Sequence, residues 1–276
     1  MRIFGDNMKG KFDVEDVYKK LVKGLKSFFN NAGFSKAVIG LSGGIDSSVV
    51  CVLAVEALGK ENVIGVSMPS KYSDDASHTL AKELADNLGI KLLYAPIDRS
   101  YNTVSDQLVS ANAIDRGMSV TKENIQSRLR MIFLMAIANE NNALLLDTGN
   151  STENGLGYAT LYGDLAGAVA PVGELNKMQV YAVGIHYNML KDSLVIPKYV
   201  FERKPSAELS EGQTDPFDYE IYSTLVDELM TASEGRDKVR ERMISEGYPE
   251  ECIDDAMERM ERNSFKWHYA PPNIKI

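Results

Sequence analysis

The sequence predicts an α/β protein, a parallel sheet with helices on both faces followed by a helical C-terminal segment. Three observations predict it. Short apolar runs alternate with amphipathic stretches between residues 37 and 147. One such run passes through two adjacent glycines into a second apolar run, Val49–Ala54, the pattern of a buried strand, a tight turn and a buried helix. Beyond residue 200, a proline-flanked polar stretch gives way to helical periodicity up to Pro271. Strands that alternate with helices form parallel sheets covered on both sides.

The elements follow in order. Val14, Val17, Tyr18, Leu21, Val22, Leu25, Phe28 and Phe29 form a helical stripe behind the N-cap candidate Asp13, with a stop at Asn30–Gly33. Strands are expected at Ala37–Leu41, Val63–Ser67, Lys91–Ala95 and Ala143–Asp147. Helices are expected near Asp46–Leu58, Asp74–Leu88 and Lys122–Asn139, with a less regular stretch before the last of these. Gly149–Gly173, rich in Gly, Ala and Tyr, reads as a structured loop over the ligand edge of the sheet. A helix at Lys177–Leu190 precedes Arg203–Phe217, which is long enough to be a lid. Helices near Asp218–Met230, Gly235–Ser245 and Pro249–Glu261 finish the chain, and the Ala270-Pro271-Pro272 ending stops helix at Tyr269. We divide one domain, 1–276, into an N-terminal helix (1–35), an α/β core (36–200), and a lid loop with C-terminal helices (201–276).

Composition bounds the function. The 276 residues are 44% hydrophobic and 25% charged, ordinary values for a globular chain. No apolar run is long enough to span a membrane, and Met1 leads into a charged stretch unlike a signal peptide, so a cytoplasmic location is expected. The two cysteines, Cys51 and Cys252, cannot make a metal site alone, and Cys51 falls among apolar residues as a core group would. A net charge of −9 without a basic stripe argues against a nucleic-acid partner.

Chemistry concentrates in Leu41-Ser42-Gly43-Gly44-Ile45-Asp46-Ser47-Ser48. Two glycines allow close backbone approach to a ligand, serine hydroxyls add donors, and the first amides of the next helix point outward with the dipole behind them. The turn suits phosphate, although the Walker spacing and lysine are missing. Asp46 would repel phosphate unless a divalent cation lay between them. An ordinary capped turn is the alternative.

The segment resembles the Ser-Gly-Gly-x-Asp-Ser pyrophosphatase loop of enzymes that cleave ATP between its α and β phosphates, which share a Rossmann-like fold. Further segments narrow this: Asn124–Arg130, Thr148-Gly149-Asn150, Gly157–Asp164, Pro205–Leu209 and Ala270–Ile276 resemble NAD synthetases, in family order and over nearly the whole chain. The resemblance implies an ammonia-dependent ligase that adenylates the nicotinate carboxyl of deamido-NAD with ATP and Mg²⁺, then amidates it, releasing NAD, AMP and pyrophosphate. It implies ATP contacts at Gly40, Leu41, Ser42, Gly43, Gly44, Ile45, Asp46, Ser47, Ser67, Met68, Thr148, Lys177 and Ser206, with Asp46, Lys177 and Ser206 as catalytic groups. Asp46 and Glu153 would hold Mg²⁺, and Asn124, Arg128, Asp164 and Lys266 would contact deamido-NAD. By themselves Glu153 reads as a solvated loop acid and Lys177 as a surface charge. Arg130 lies on another face of its helix than Arg128 and reads as structural or exposed; His78 and His186 read as surface or packing groups.

The match departs in places. Leu161 and Ala168 stand where ammonia-dependent members usually carry a lysine and an aspartate, Ser151-Thr152 alters the usual Asn-Lys-Ser-Glu, and Asp147 stands where small residues are common. The Thr-Leu-Tyr-Gly-Asp form and the Ala-Pro-Pro ending look more like the synthetase half of glutamine-dependent members. Only some thirty-odd residues precede the first strand, so free ammonia, or ammonia from a separate glutaminase subunit, is the expected nitrogen source. The family implies a homodimer, with Val14–Phe29 and the helix carrying Arg128 as candidate buried faces. Another adenylating ligase of the superfamily, or a nucleotide-binding regulator without turnover, are the competing readings.

Overall fold

The computed structural model describes residues 12–276, so the expectation for the charged start at Met1 lies outside the described residues. Helix α1 (Val14–Ala32) is capped by the Asp13 carboxylate, which accepts from the Glu15 and Asp16 amides, and stops at Gly33. Strand β1 (Lys36–Gly40) leads into α2 (Ile45–Leu58), β2 (Val63–Ser67), α3 (Asp75–Leu88) and β3 (Lys91–Tyr94). Helices α4 (Asp98–Ser110) and α5 (Val120–Glu140) precede β4 (Ala143–Leu145). The sheet is parallel throughout with order β3-β2-β1-β4, so the chain reverses direction across β1. The carboxyl ends of β1 and β4 therefore flank the switch point where ligands of such sheets sit.

Both faces of β1 are buried. Ala37 and Ile39 pack with α1, α2 and α7 (Lys177–Leu190), whereas Val38 packs with Val66, Ile97, Ala138 and Leu145 under α5. Helix α2 lies between the sheet and the α1–α7 layer, which is why Val49–Ala54 is apolar all round and wholly buried. Cys51 is one of these core residues, and burial pushes its thiol up to about 12. The expected stripe on α1 is used inside the chain: Val17, Leu21, Leu25 and Phe29 are buried against this core.

The expected β4 ends two residues early as a strand, but its backbone bonds continue. Leu146 donates to Val38 O (3.0 Å) and Asp147 to Val169 O (3.0 Å), so the end of the Gly149–Gly173 segment runs parallel beside β4. Ala170 in turn bridges Asn273, which docks the C-terminal tail and sets Ile274 against Gly24 of α1. Among the described residues three helices stand outside the expected set. The less regular stretch contains α4, which packs on α5 through Tyr101, and the Gly149–Gly173 loop contains α6 (Ser151–Leu156). The third, the short α8 (Lys198–Glu202), leads to the lid. Helices α9 (Tyr219–Thr231), α10 (Arg236–Ser245) and α11 (Glu250–Asn263) build a second core around Leu225, Met243 and Ile253, into which Leu156 of α6 inserts. A 3₁₀ segment, Ser264–Tyr269, ends at the prolines. Among the described residues no helix is long and apolar enough to cross a membrane.

Candidate active site

A cavity of about 310 Å³ opens at the carboxyl edge of the sheet, over the turn from β1 to α2. That turn is fixed by its own residues. Gly43 has φ +75°, and a Cβ there would lie 2.4 Å from Ser77 O on the first turn of α3, so a side chain is excluded by conformation and by space. The hydroxyls of Ser47 and Ser48 donate to Gly44 O (3.1 and 2.7 Å), and Ser42 Oγ accepts from the Gly44 amide (3.2 Å). In this state the serines brace the loop rather than extend donors into the cavity. The N-terminus of α2 has no side-chain cap, which leaves its first-turn amides and dipole available to an anion.

Three charged groups meet beside this terminus. Lys177, the first residue of α7, is set by a capping box between Asn176 and Gln179 and by its own amide donating to Thr152 Oγ1. Its Nζ donates to Asp46 Oδ2 at 2.6 Å and to Glu153 Oε1 at 2.9 Å, and lies 4.8 Å from the centre of the Tyr219 ring. The lysine side chain is 4% exposed, those of Asp46 and Glu153 17% and 19%. Burial opposes the lysine charge, but Asp46 and Glu153 overcome it and hold the ammonium above the ordinary lysine range. Burial, with Asp46 adding to it against the pull of Lys177, pushes Glu153 up to about 7. One lysine for two carboxylates leaves surplus negative charge and two hard oxygen donors converging on one point, a donor set that fits Mg²⁺ shared with phosphate oxygens.

Long-range bonds hold these acids in place. Asn150, the cap of α6, accepts from the Glu153 amide (3.0 Å) and donates from Nδ2 to Asp46 Oδ1 (2.9 Å). Tyr219 donates to Asp215 Oδ2 (2.9 Å) and lies 3.3 Å from Glu153 Oε1, while Tyr158 donates to Asp215 Oδ1 (3.2 Å). The lid, Arg203–Phe217, is thereby tied to the acidic end of the cavity. It is also attached at α3, where Arg203 and Glu208 are ion-paired and both bond Ser77, and at α5, where Gln126 Nε2 donates to Leu209 O (2.7 Å).

Most of the sequence-predicted residues come together. Gly40, Leu41, Ser42, Gly44, Ile45 and Asp46 line the cavity, as do Ser67, Met68, Thr148, Glu153, Asp164, Lys177 and Ser206. Gly43 instead packs on Ser77, and Ser47 lines a smaller adjoining cavity with Thr148, Glu153 and Asp164. The Ser206 hydroxyl donates to Gln213 O (2.6 Å), shaping the lid. Asn124, Arg128 and Lys266 do not line the cavity within this chain. Asn124 accepts from Thr160 Oγ1 (2.7 Å), the exposed Arg128 donates to Leu161 O (3.1 Å), and Lys266 donates to Gly157 O and Ala159 O (2.7 Å each). All three grip the Gly157–Asp164 segment, whose Asp164 accepts from Ser127 Oγ (2.6 Å) and the Thr160 amide (2.9 Å).

Sequence reasoning missed several residues. Arg130 does lie on another face than Arg128, but that face turns to the cavity. Its Nε donates to Met68 O (3.1 Å), and burial lowers the guanidinium to about 10. His78 also lines the cavity, with Nδ1 2.9 Å from Ser67 Oγ. Asp147 is 2% exposed at the end of β4; its Oδ1 accepts from the Gly149 amide, its Oδ2 makes no hydrogen bond of good geometry among the described residues, and burial pushes it up to about 8. The spacing Asn150-x-x-Glu153 before Gly157 is a readable helix start and stop that points to α6. Tyr219 and Asp215 carry no local signal.

Comparisons with known proteins identify the family. A family model described as NAD synthase matches residues 17–270. The chain belongs to the NAD synthase family. It is 41% identical over 264 residues to a glutamine-dependent NAD(+) synthetase of Thermotoga maritima, covering 95% of this chain and 45% of that protein. The chain thus spans about half the length of the first curated relatives it matches. An NH(3)-dependent NAD(+) synthetase of Fusobacterium nucleatum is 35% identical over 92% of this chain and 93% of its own. Among solved structures, an NMN synthetase from Francisella tularensis is similar with a TM-score of 0.74 and 28% identity, over 94% of this chain and 96% of that one. The family is one of ligases.

Proposed function

We propose that the chain catalyses the ATP-dependent amidation of deamido-NAD by ammonia, through an adenylated nicotinate carboxyl, giving NAD, AMP and pyrophosphate. The observation that carries the reading is the meeting of Lys177, Asp46 and Glu153 at the uncapped N-terminus of α2. The amides of the turn and of α2 receive the phosphates, and Lys177 offsets their charge with a proton it holds firmly. Asp46 and Glu153 would hold Mg²⁺, which would supply positive charge beside the pyrophosphate. A carboxylate oxygen of the acceptor attacks the α-phosphorus as the bond to the β-phosphate oxygen breaks. Ammonia then attacks the acyl carbon and AMP leaves. The lid, pinned by Arg203 at one end and Asp215 at the other, keeps water from the adenylate.

The protein works in the cytoplasm as a homodimer on this reading. The apolar stripe of α1 is already used within the chain, so α5 is the candidate contact, with Val120 69% and Ile132 54% exposed. Sedimentation at micromolar concentration tests this; a monomer refutes it. The assay for activity supplies ATP, Mg²⁺ and deamido-NAD and compares ammonium with glutamine, as free ammonia or a separate glutaminase subunit is the nitrogen source proposed. NAD formed with ammonium supports the reading, and none with either donor discards it. A second acceptor is favoured by Leu161 and Ala168 and by the similarity to an NMN synthetase: the nicotinate mononucleotide. Faster turnover of the mononucleotide in the same assay selects that alternative.

A further inference from the structure

Asp147 is the one buried carboxylate of the cavity to which the proposed reaction gives no task. Its backbone is fixed by its amide donating to Val169 O (3.0 Å), and its Oδ1 is taken by the Gly149 amide. Oδ2 is buried and makes no hydrogen bond of good geometry among the described residues, with the Ala166 amide the backbone donor beside the carboxyl. A buried acceptor left unpaired costs the full desolvation of that oxygen, so such a group is retained where a ligand supplies the donor.

Its place along the cavity identifies the donor. One wall is apolar, formed by Met68 past β2 and by Met131 and Leu134 of α5, with Leu134 3.3 Å from where a Cβ on Gly40 would lie. The other end carries the turn, Asp46 and Lys177. Asp147 and Thr148 stand between them at the end of β4, and Asn150, three residues on, already reaches Asp46. A nucleotide with its phosphates on the turn and its base on the apolar wall has only its sugar at this point. The phosphates carry no donor for an unpaired acceptor oxygen; the ribose hydroxyls are donors, and carboxyl groups at strand ends recognise ribose in other doubly wound sheets.

We infer that Asp147 is a specificity residue that accepts hydrogen bonds from the ribose diol of the ATP seated on the Ser42–Ser47 turn. The assignment rests on the reading of that turn as the ATP phosphate site. It makes the protein selective for ribonucleotides over deoxynucleotides, because a site built to bond a hydroxyl is left with an unpaired buried group when the hydroxyl is missing.

Calorimetry on the full chain with Mg²⁺ and no acceptor tests it, using ATP, 2′-deoxyATP, 3′-deoxyATP and the triphosphate of purine riboside, which lacks the base amino group. The wild type is expected to bind at least one deoxy analogue about tenfold or more weakly than ATP, and the purine riboside analogue about equally. In Asp147→Ala this preference falls to within about threefold, and Asp147→Asn, which keeps an acceptor, retains part of it. A general loss of structure lowers all affinities together and leaves the ratio unmoved. Equal binding of ATP and both deoxy analogues by the wild type overturns the assignment even if neither variant folds. So does a preference that survives in Asp147→Ala, or one that follows the amino group. Failure of the wild type to bind ATP overturns the phosphate site itself, and the assignment with it.

Discussion

Replacing Lys177 with methionine keeps most of the side-chain volume and removes the charge that holds Asp46 and Glu153 together. Breaking a buried ion pair by deleting one partner costs about 3–5 kcal/mol, because the remaining charge stays buried and uncompensated. Here two carboxylates lose the same partner, and Glu153 then keeps its proton to a higher pH. Glu153 already shows the direction: burial raises it to about 7 from an ordinary 4.5. A carboxyl whose folded value is raised stabilises fully below its unfolded value and loses that contribution as pH rises through the folded one. For Glu153 that window runs from about 4.5 to 7 in the wild type, and losing the lysine extends it upward. Below about pH 7 both proteins keep the Glu153 proton; between pH 7 and 9 the folded variant holds most of one carboxyl proton more than the wild type, so its stability penalty grows by about 1.2 kcal/mol per pH unit. We expect a penalty of about 1–2 kcal/mol at pH 7 and about 4 kcal/mol at pH 9. The second figure corresponds to a melting temperature lower by roughly 8–15 °C for a chain of this size. Urea unfolding of both proteins at the two pH values measures it. An equal penalty at both, or one below about 1 kcal/mol at pH 9, refutes the claim that Lys177 balances the two acids.

Three further outcomes follow from particular contacts. Gly43→Ala forces a Cβ to 2.4 Å from Ser77 O at φ +75°, so calorimetry should find a loss of ATP affinity of tenfold or more and melting a loss of about 2 kcal/mol; a neutral variant contradicts the described turn. Tyr219→Phe keeps the ring beside Lys177 but deprives half-buried Asp215 of one of its two tyrosine donors, costing about 1 kcal/mol in urea, with pyrophosphate release slowed further as the lid loosens. Asp147→Asn removes a buried ionisable group whose folded value of about 8 lies above the ordinary 3.8, so the wild type loses stability as pH rises through that window. The variant should exceed the wild type by about 2–4 kcal/mol at pH 7 and by much less near pH 4; equal curves at both pH values refute the burial of an unpaired acid.

How much of this was legible in the sequence depended on whether the signal was local. Strands β1 and β2 are buried on both faces and therefore read as uninterrupted apolar runs, and α1 carries a clean stripe because it covers one face only. Helix α4 offers little stripe, with only Tyr101 and Ser105 buried, and was hidden for that reason. Helix α6 is six residues long and owes its start to Asn150, whose other bond, to Asp46, is 104 residues away in sequence. The glycine turn, Asp46, Glu153 and Lys177 were identified by their motifs, and their meeting required the fold. Arg130 was assigned correctly to a second face of α5, but nothing in the sequence says that this face looks onto Met68 and the cavity. Asp215 and Tyr219 join the site through packing of the C-terminal helices, which no spacing encodes.

The central claim is that the acceptor carboxylate attacks the α-phosphorus of ATP. Deamido-NAD labelled with ¹⁸O in its nicotinate carboxyl, turned over with ATP, Mg²⁺ and ammonium, tests it in a single ³¹P spectrum. The account predicts that AMP carries one ¹⁸O on phosphorus and that the pyrophosphate carries none. Label in inorganic phosphate with ADP as the nucleotide product, or AMP free of label, would contradict it.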